Sequence, residues 1–291
     1  MKFRTEITLP PAGFAISPAD KVMMIGSCFA ENISERMRRG GFTVDANPLG
    51  IAYNPASVAG GLQDLMSRRI YTEADLFLHE GAYHSFSHHS RFSGGESRAV
   101  LEKINAAIAF SSEFLRQARV LMITFGTANV YRLRSTGQVV ANCHKRPARE
   151  FEEQRLTIEQ ITESWNGIIR ELQALNPGLH ILFTVSPIRH WKNGANANQL
   201  SKAILLLAVN ELVQTHPRCE YFPAYEILLD DLRDYRFYAD DWVHPHAQAI
   251  DYIWEKLGDA YFDKRTQERI REYEKQQKRM NHVKIIASAE N

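Results

Sequence analysis

Val22-Met23-Met24-Ile25-Gly26-Ser27-Cys28-Phe29-Ala30-Glu31-Asn32 is the stretch whose reading decides the fold. Four apolar residues between Asp20-Lys21 and a glycine have the composition of a short strand buried on both faces, as in a parallel sheet. Phe29, Ile33 and Met37 then recur at helical spacing until Gly40-Gly41 ends the run. Ser27 is thereby set on the turn between a buried strand and a helix. There its hydroxyl lies at the carboxyl edge of the sheet, and the first amides of the helix face whatever binds beside it. Two readings compete. The serine caps the helix, or it is a nucleophile whose transition state gains an oxyanion.

A partner for such a nucleophile lies far along the chain, in Asp240-Asp241-Trp242-Val243-His244-Pro245. An aspartate three residues before a histidine, on a loop just ahead of a helix, can turn both side chains to one edge of the sheet. The carboxylate then holds the imidazole, which can take a proton from a serine. Asp-x-x-His is common by itself. Together, Gly-Ser after the first strand and Asp-x-x-His before the last helix resemble the first and last blocks of the SGNH/GDSL hydrolases. The string Gly26-Ser27-Cys28-Phe29-Ala30 is similar to the signature of the GSCFA family, a group of mostly bacterial proteins related to that superfamily. The resemblance runs from near the N-terminus to the helix after His244.

That resemblance implies a serine-dependent esterase in which Ser27 attacks the carbonyl, His244 is general base and then general acid, and Asp241 orients His244. It also implies an oxyanion hole drawn from the amides of Ser27 and Gly50, the latter in the loop after the second strand. The other reading of Gly50 is a residue that permits a positive backbone angle. Superfamily members add an asparagine two residues after a glycine; here Asn129 lies three after Gly126, so Asn129 is a candidate and the third donor stays open. The implied substrate is a small acyl ester, with carbohydrate esters as the class. Two alternatives are O-acyl transfer through the same acyl-enzyme and non-catalytic ligand binding on the same fold. A third rival is a thiol nucleophile, Cys28, next to Ser27 at the helix N-terminus.

Length and composition suit one sizeable domain: 291 residues, 44% hydrophobic and 24% charged. A net charge of +1 with both signs interspersed argues against nucleic acid or an anionic membrane as partner. Met1 to Glu6 lacks the apolar core of a signal peptide. The most apolar helix candidate, 203–213, is too short to span a bilayer and carries Asn210 and Glu211. Three cysteines, Cys28, Cys143 and Cys219, make no disulfide framework, and a cytoplasmic location is expected. No glycine fingerprint for a dinucleotide or nucleoside triphosphate occurs, so no cofactor is expected.

Further strands are expected at 42–46, 120–125, 180–185 and 219–222, and helices at 55–69, 101–117, 156–175, 197–215 and 247–257. This alternation predicts a three-layer αβα sandwich with a mainly parallel sheet, SGNH-hydrolase-like and flavodoxin-like, as a single domain over 1–291. Residues from about 70 to 100 form an insertion dense in aromatics and histidines, expected as a partial lid over the site edge. No His-Glu-x-x-His motif or Cys-x-x-Cys pair accompanies those histidines, so no metal site is expected. His84 in the insertion, His144 in the Asn142-Cys143-His144-Lys145-Arg146-Pro147 loop, and Arg189 after the 180–185 strand are candidates for substrate binding; for His144 the other reading is an exposed loop with Cys143 buried. The charged segment after Asp263 is expected as a solvated helix.

Overall fold

The computed structural model describes residues 5–289. Its central sheet is parallel and five-stranded, with β1 (Lys21–Gly26), β2 (Thr43–Ala46), β3 (Val120–Phe125), β4 (His180–Val185) and β5 (Cys219–Tyr221) in the order β2-β1-β3-β4-β5. This is the flavodoxin-like order, and it places the topological switch point between β1 and β3.

The alternation of side chains along β1 explains the layers. Val22 and Met24 enter a core with Phe29, Ile33 and Met37 of α1 (Cys28–Arg39) and with Ile250, Ile253 and Leu257 of the helix Ala247–Tyr261. Met23 and Ile25 point the other way, into a larger core shared with α2 (Pro55–Ser67), α3 (Ser97–Gln117), α4 (Ile158–Leu175) and α5 (Gly194–Thr215). The helix Ala247–Tyr261 is α6. A sheet buried on both faces calls for near-continuous apolar strands, and β3 meets this with Val120 through Phe125 all buried and only Thr124 polar.

The end of β1 is fixed by one side chain. Asn47, fully buried with φ 46°, accepts a hydrogen bond from the Gly26 amide at 2.8 Å and donates its own amide to Met24 O at 2.8 Å. Gly26 has φ 145°, and a Cβ there would fall 2.1 Å from Thr124 O on the neighbouring strand. Close approach of two backbones therefore demands glycine immediately before Ser27.

Two structures are added to this frame. Residues 70–95 form a short antiparallel hairpin, Phe77–His79 with Ala82–His84, flanked by single 3-10 turns. It docks beside the switch point: His89 N donates to Leu49 O at 3.2 Å, and the Arg91 guanidinium donates to Asn47 O. A three-stranded antiparallel sheet follows β3, with Asn129–Leu133 central between Val139–Val140 and Phe151–Arg155.

The final helix, α7 (Lys264–Ala289), is less solvated than its composition implies. Thr266 and Ile270 are buried, a Cβ on Gly40 would meet Ile270 at 3.3 Å, and one on Gly41 would meet the Tyr273 ring at 3.2 Å. The glycine pair that ends α1 is thus also the seat for the first turns of α7. Among the described residues no helix is long and apolar enough to cross a membrane.

Gly26→Ala should destabilise the domain by about 3 kcal/mol or more, since the new methyl group meets backbone rather than a movable side chain. Urea unfolding of the variant beside wild type measures it.

Candidate active site

Four chain segments meet at the carboxyl edge of the sheet. Ser27 follows β1, the loop from Asn47 to Tyr53 follows β2, Gly126-Thr127 follows β3, and Ser186 to His190 follows β4. The register pairs Gly26 with Thr124, so Ser27 and Gly126 stand on adjacent strand ends at the switch point. Tyr53 O accepts from the amides of Gly126 (2.7 Å) and Thr127 (3.0 Å), which ties the second segment to the third.

The third and fourth are joined by a lysine. The Lys202 amine is completely buried and donates to Gly126 O at 2.6 Å and to Ser186 O at 2.7 Å. Burial pulls its pKa down to about 7, with Cys28 acting in the opposite direction. Asn198 and Ser201 lie on the same face of α5: Asn198 Oδ1 accepts from the His190 amide at 2.9 Å, and Ser201 Oγ accepts from the Ala128 amide at 2.7 Å. Three polar residues at i, i+3 and i+4 of a buried helix face therefore organise both loops.

Ser27 is fully buried and caps α1, its Oγ accepting from the Phe29 amide at 3.3 Å. Its own amide donates to Thr124 O at 3.1 Å. Cys28 is half-buried, and desolvation raises its thiol pKa, which opposes the thiolate a sulfur nucleophile needs.

The Asp241–His244 couple is tightly built. Asp241 Oδ2 is 2.6 Å from His244 Nδ1, while Oδ1 accepts from the amides of Val243 and His244 at 2.9 Å each. Those amide bonds first, and the imidazole bond after them, hold the Asp241 carboxyl at a pKa of about 2. With Nδ1–H directed at the carboxylate, His244 Nε2 is left as the basic nitrogen. Among the described residues no hydrogen bond joins Ser27 to His244.

His190 stands between these parts. A Cβ placed on Gly126 would fall 2.8 Å from His190 Nε2, so the ring lies directly over the end of β3, edge-on to Tyr53 with centroids 5.3 Å apart. Nε2 is buried and has no hydrogen-bond partner among the described residues. Desolvation, then the charges of Lys202 and His244, lower its pKa to about 4, so the ring is neutral at neutral pH. The sequence signal for His190 was its place after a strand at the carboxyl edge. Lys202, Asn198 and Ser201 were masked by the apolar run that follows them.

The other expected site residues have partners within the protein. The Gly50 amide donates to Asn47 O at 2.8 Å instead of being free for an oxyanion. With φ 96°, and with a Cβ there 2.1 Å from His89 Cβ, Gly50 is the close-approach point for the insertion. The Arg189 guanidinium donates to Trp242 O and lies against Tyr238 (4.6 Å) and Trp191 (4.8 Å), so it braces the Asp-x-x-His loop. Both ring nitrogens of His84 are engaged, with Ser93 Oγ at 2.7 Å and His79 O at 3.2 Å. His144, buried at φ 48°, donates Nε2–H to Ser85 O at 2.8 Å. Asn129 opens the central strand of the added sheet, pairing with Arg155, and its amide donates to Thr127 Oγ1 at 3.1 Å.

The aromatics of the insertion pack on one another: Phe77 stacks on Phe86 at 4.1 Å, and Tyr71 and Phe92 are buried. Three exposed rings, Trp191, Tyr235 and Trp242, lie around Arg189 instead. Among the described residues no group of three or more His, Cys, Asp or Glu side chains is arranged to hold a metal ion.

Fold and edge together define a doubly wound α/β protein with an acid–histidine couple and a helix-capping serine at its switch-point edge. The chain belongs to the GSCFA family, whose model matches residues 21–257. No curated protein matches the sequence. Similar solved structures include a family two carbohydrate esterase from Clostridium thermocellum in complex with cellohexaose (TM-score 0.40, 13% identity, 87% of this chain and 65% of that one). Others are a carbohydrate esterase family 3 protein from Talaromyces cellulolyticus (0.38, 11%, 82% and 95%) and the lipopolysaccharide acetyltransferase periplasmic domain of Salmonella ser. Paratyphi A (0.38, 14%, 82% and 82%). The chain thus spans under two thirds of the Clostridium protein.

Lys202→Met should cost roughly 2–5 kcal/mol by leaving two buried carbonyls without donors. The pH dependence has a defined sign. Folding lowers the Lys202 pKa from 10.5 to about 7, so its contribution is present above the unfolded value and is lost as pH falls through 7. Wild type should therefore gain stability relative to Lys202→Met as pH rises from about 7 towards 10, as urea melts at several pH values will record.

Proposed function

We propose that this protein is an acyl-ester enzyme acting through Ser27, His244 and Asp241. The observation that carries the reading is the threefold grip of Asp241 on His244, two backbone amides on one oxygen and the imidazole on the other. That grip fixes the tautomer in which Nε2 accepts a proton. The location of Ser27 at the switch point of a doubly wound sheet supports its role as nucleophile.

Ser27 Oγ forms a bond to the acyl carbon as its proton passes to His244 Nε2, and the carbonyl π pair moves onto oxygen. Collapse of that adduct expels the alcohol, which takes the proton from His244, and leaves an acyl-serine. Water or a second hydroxyl, deprotonated by the same imidazole, releases the acyl group. The identity of that acceptor separates hydrolysis from O-acyl transfer. Because Ser27 is fully buried here, turnover also requires a movement that uncovers the hydroxyl. The exposed rings of Trp191, Tyr235 and Trp242 support a carbohydrate-bearing ester, whose sugar faces stack on such surfaces.

A fluorophosphonate probe should label wild type at Ser27 and fail on Ser27→Ala, while Cys28→Ala remains labelled. Hydrolysis of p-nitrophenyl acetate should fall about 10³-fold or more in Ser27→Ala and His244→Ala, and by up to about 10⁴-fold in Asp241→Asn through the wrong tautomer. Labelling that survives Ser27→Ala would sink the assignment.

A further inference from the structure

We infer that His190 is a catalytic residue of this site, the side-chain donor that receives the substrate's carbonyl oxygen as it becomes an oxyanion. The inference rests on the ester reading above and adds to it a donor outside the Ser27, Gly50 and Asn129 set.

The argument begins with supply. An oxyanion needs preorganised N–H groups aimed at it in a water-poor site. The amides of Ser27 and Gly50 already donate to Thr124 O and Asn47 O, and that of Gly126 to Tyr53 O. His190 offers what those amides do not. Its Nε2 is buried and without a partner, and it lies over Gly126, on the strand end adjacent to Ser27. A buried, unpaired ring nitrogen is costly to maintain, and a ligand atom that pairs with it recovers that cost.

The surroundings fit a donor better than a base. Lys202 and His244 both disfavour an imidazolium at His190. A neutral imidazole can polarise a carbonyl through N–H without giving up its proton, so no proton is transferred at this residue. His244, gripped by Asp241, is left as the one acid–base group, and the two histidines have separate tasks. The ring is also well placed by its neighbours. Asn198 Oδ1 holds the His190 amide, Tyr53 packs edge-on against the imidazole, and any side chain at position 126 would displace it.

The test is a pair of similar size, His190→Gln and His190→Met, of which only glutamine keeps an N–H near the Nε2 position. Melting temperatures establish that both are folded, and p-nitrophenyl acetate kinetics are read beside fluorophosphonate labelling of Ser27. His190→Met should lose about 10²–10³-fold in kcat with KM little changed, and His190→Gln should recover at least about tenfold of that loss. Equal rates in the two variants, or a kcat in His190→Met within about threefold of wild type, overturn the assignment. A wild-type enzyme that the probe never labels at Ser27 refutes the ester reading and the donor with it. Wild type and His190→Met labelled at the same rate refute the donor alone.

Discussion

One buried amine holds the working edge of this protein together. Lys202 reaches the ends of two neighbouring central strands and binds a carbonyl from each, Gly126 O and Ser186 O. Strand ends at a carboxyl edge expose carbonyls that the sheet itself leaves unpaired, and an interior position offers no water to satisfy them. A side chain with several donors solves the problem for both strands at once. Everything downstream depends on it: Gly126 sets where the His190 ring lies, and the Ser186 to His190 loop carries Arg189, which grips the Asp-x-x-His loop at Trp242.

The architecture was legible because its signals are local and redundant. Val22 through Ile25 are all apolar, Val120 through Phe125 and Ile181 through Val185 are apolar except for Thr124 and Thr184, and between them stand helical periods of twelve residues or more. The strands at 151–155 were not legible, since Phe151-Glu152-Glu153-Gln154-Arg155 has one buried residue at its start and little alternation after it. That strand exists because Asn129–Leu133 offers it an edge, a tertiary fact without a local signature.

The site was legible in part for a related reason. Ser27, Asp241 and His244 stand where strand-turn-helix and loop-helix junctions put them. The roles of Gly50, Arg189, His84 and His144 turned on which groups would meet across long separations. Gly50 was read either as an oxyanion donor or as a positive-φ residue and the other three as substrate contacts, and each meets a protein partner, Gly50 at Asn47, Arg189 at Trp242, His84 at Ser93 and His79, and His144 at Ser85, while Arg189 Nε and His144 Nδ1 have no partner among the described residues. Atoms left with unspent capacity, His190 Nε2 among them, are identified only once the partners of all the others are known.

The proposed nucleophile sits at the first strand's end and its acid–base couple just ahead of the sixth long helix, with the loops that align them contributed in between. A growing chain therefore emerges with its reactive hydroxyl long before the imidazole that would activate it has been synthesised. On that proposal the parts come together only after all five strands have been made, and a product cut short before residue 244 would lack the couple that activates Ser27.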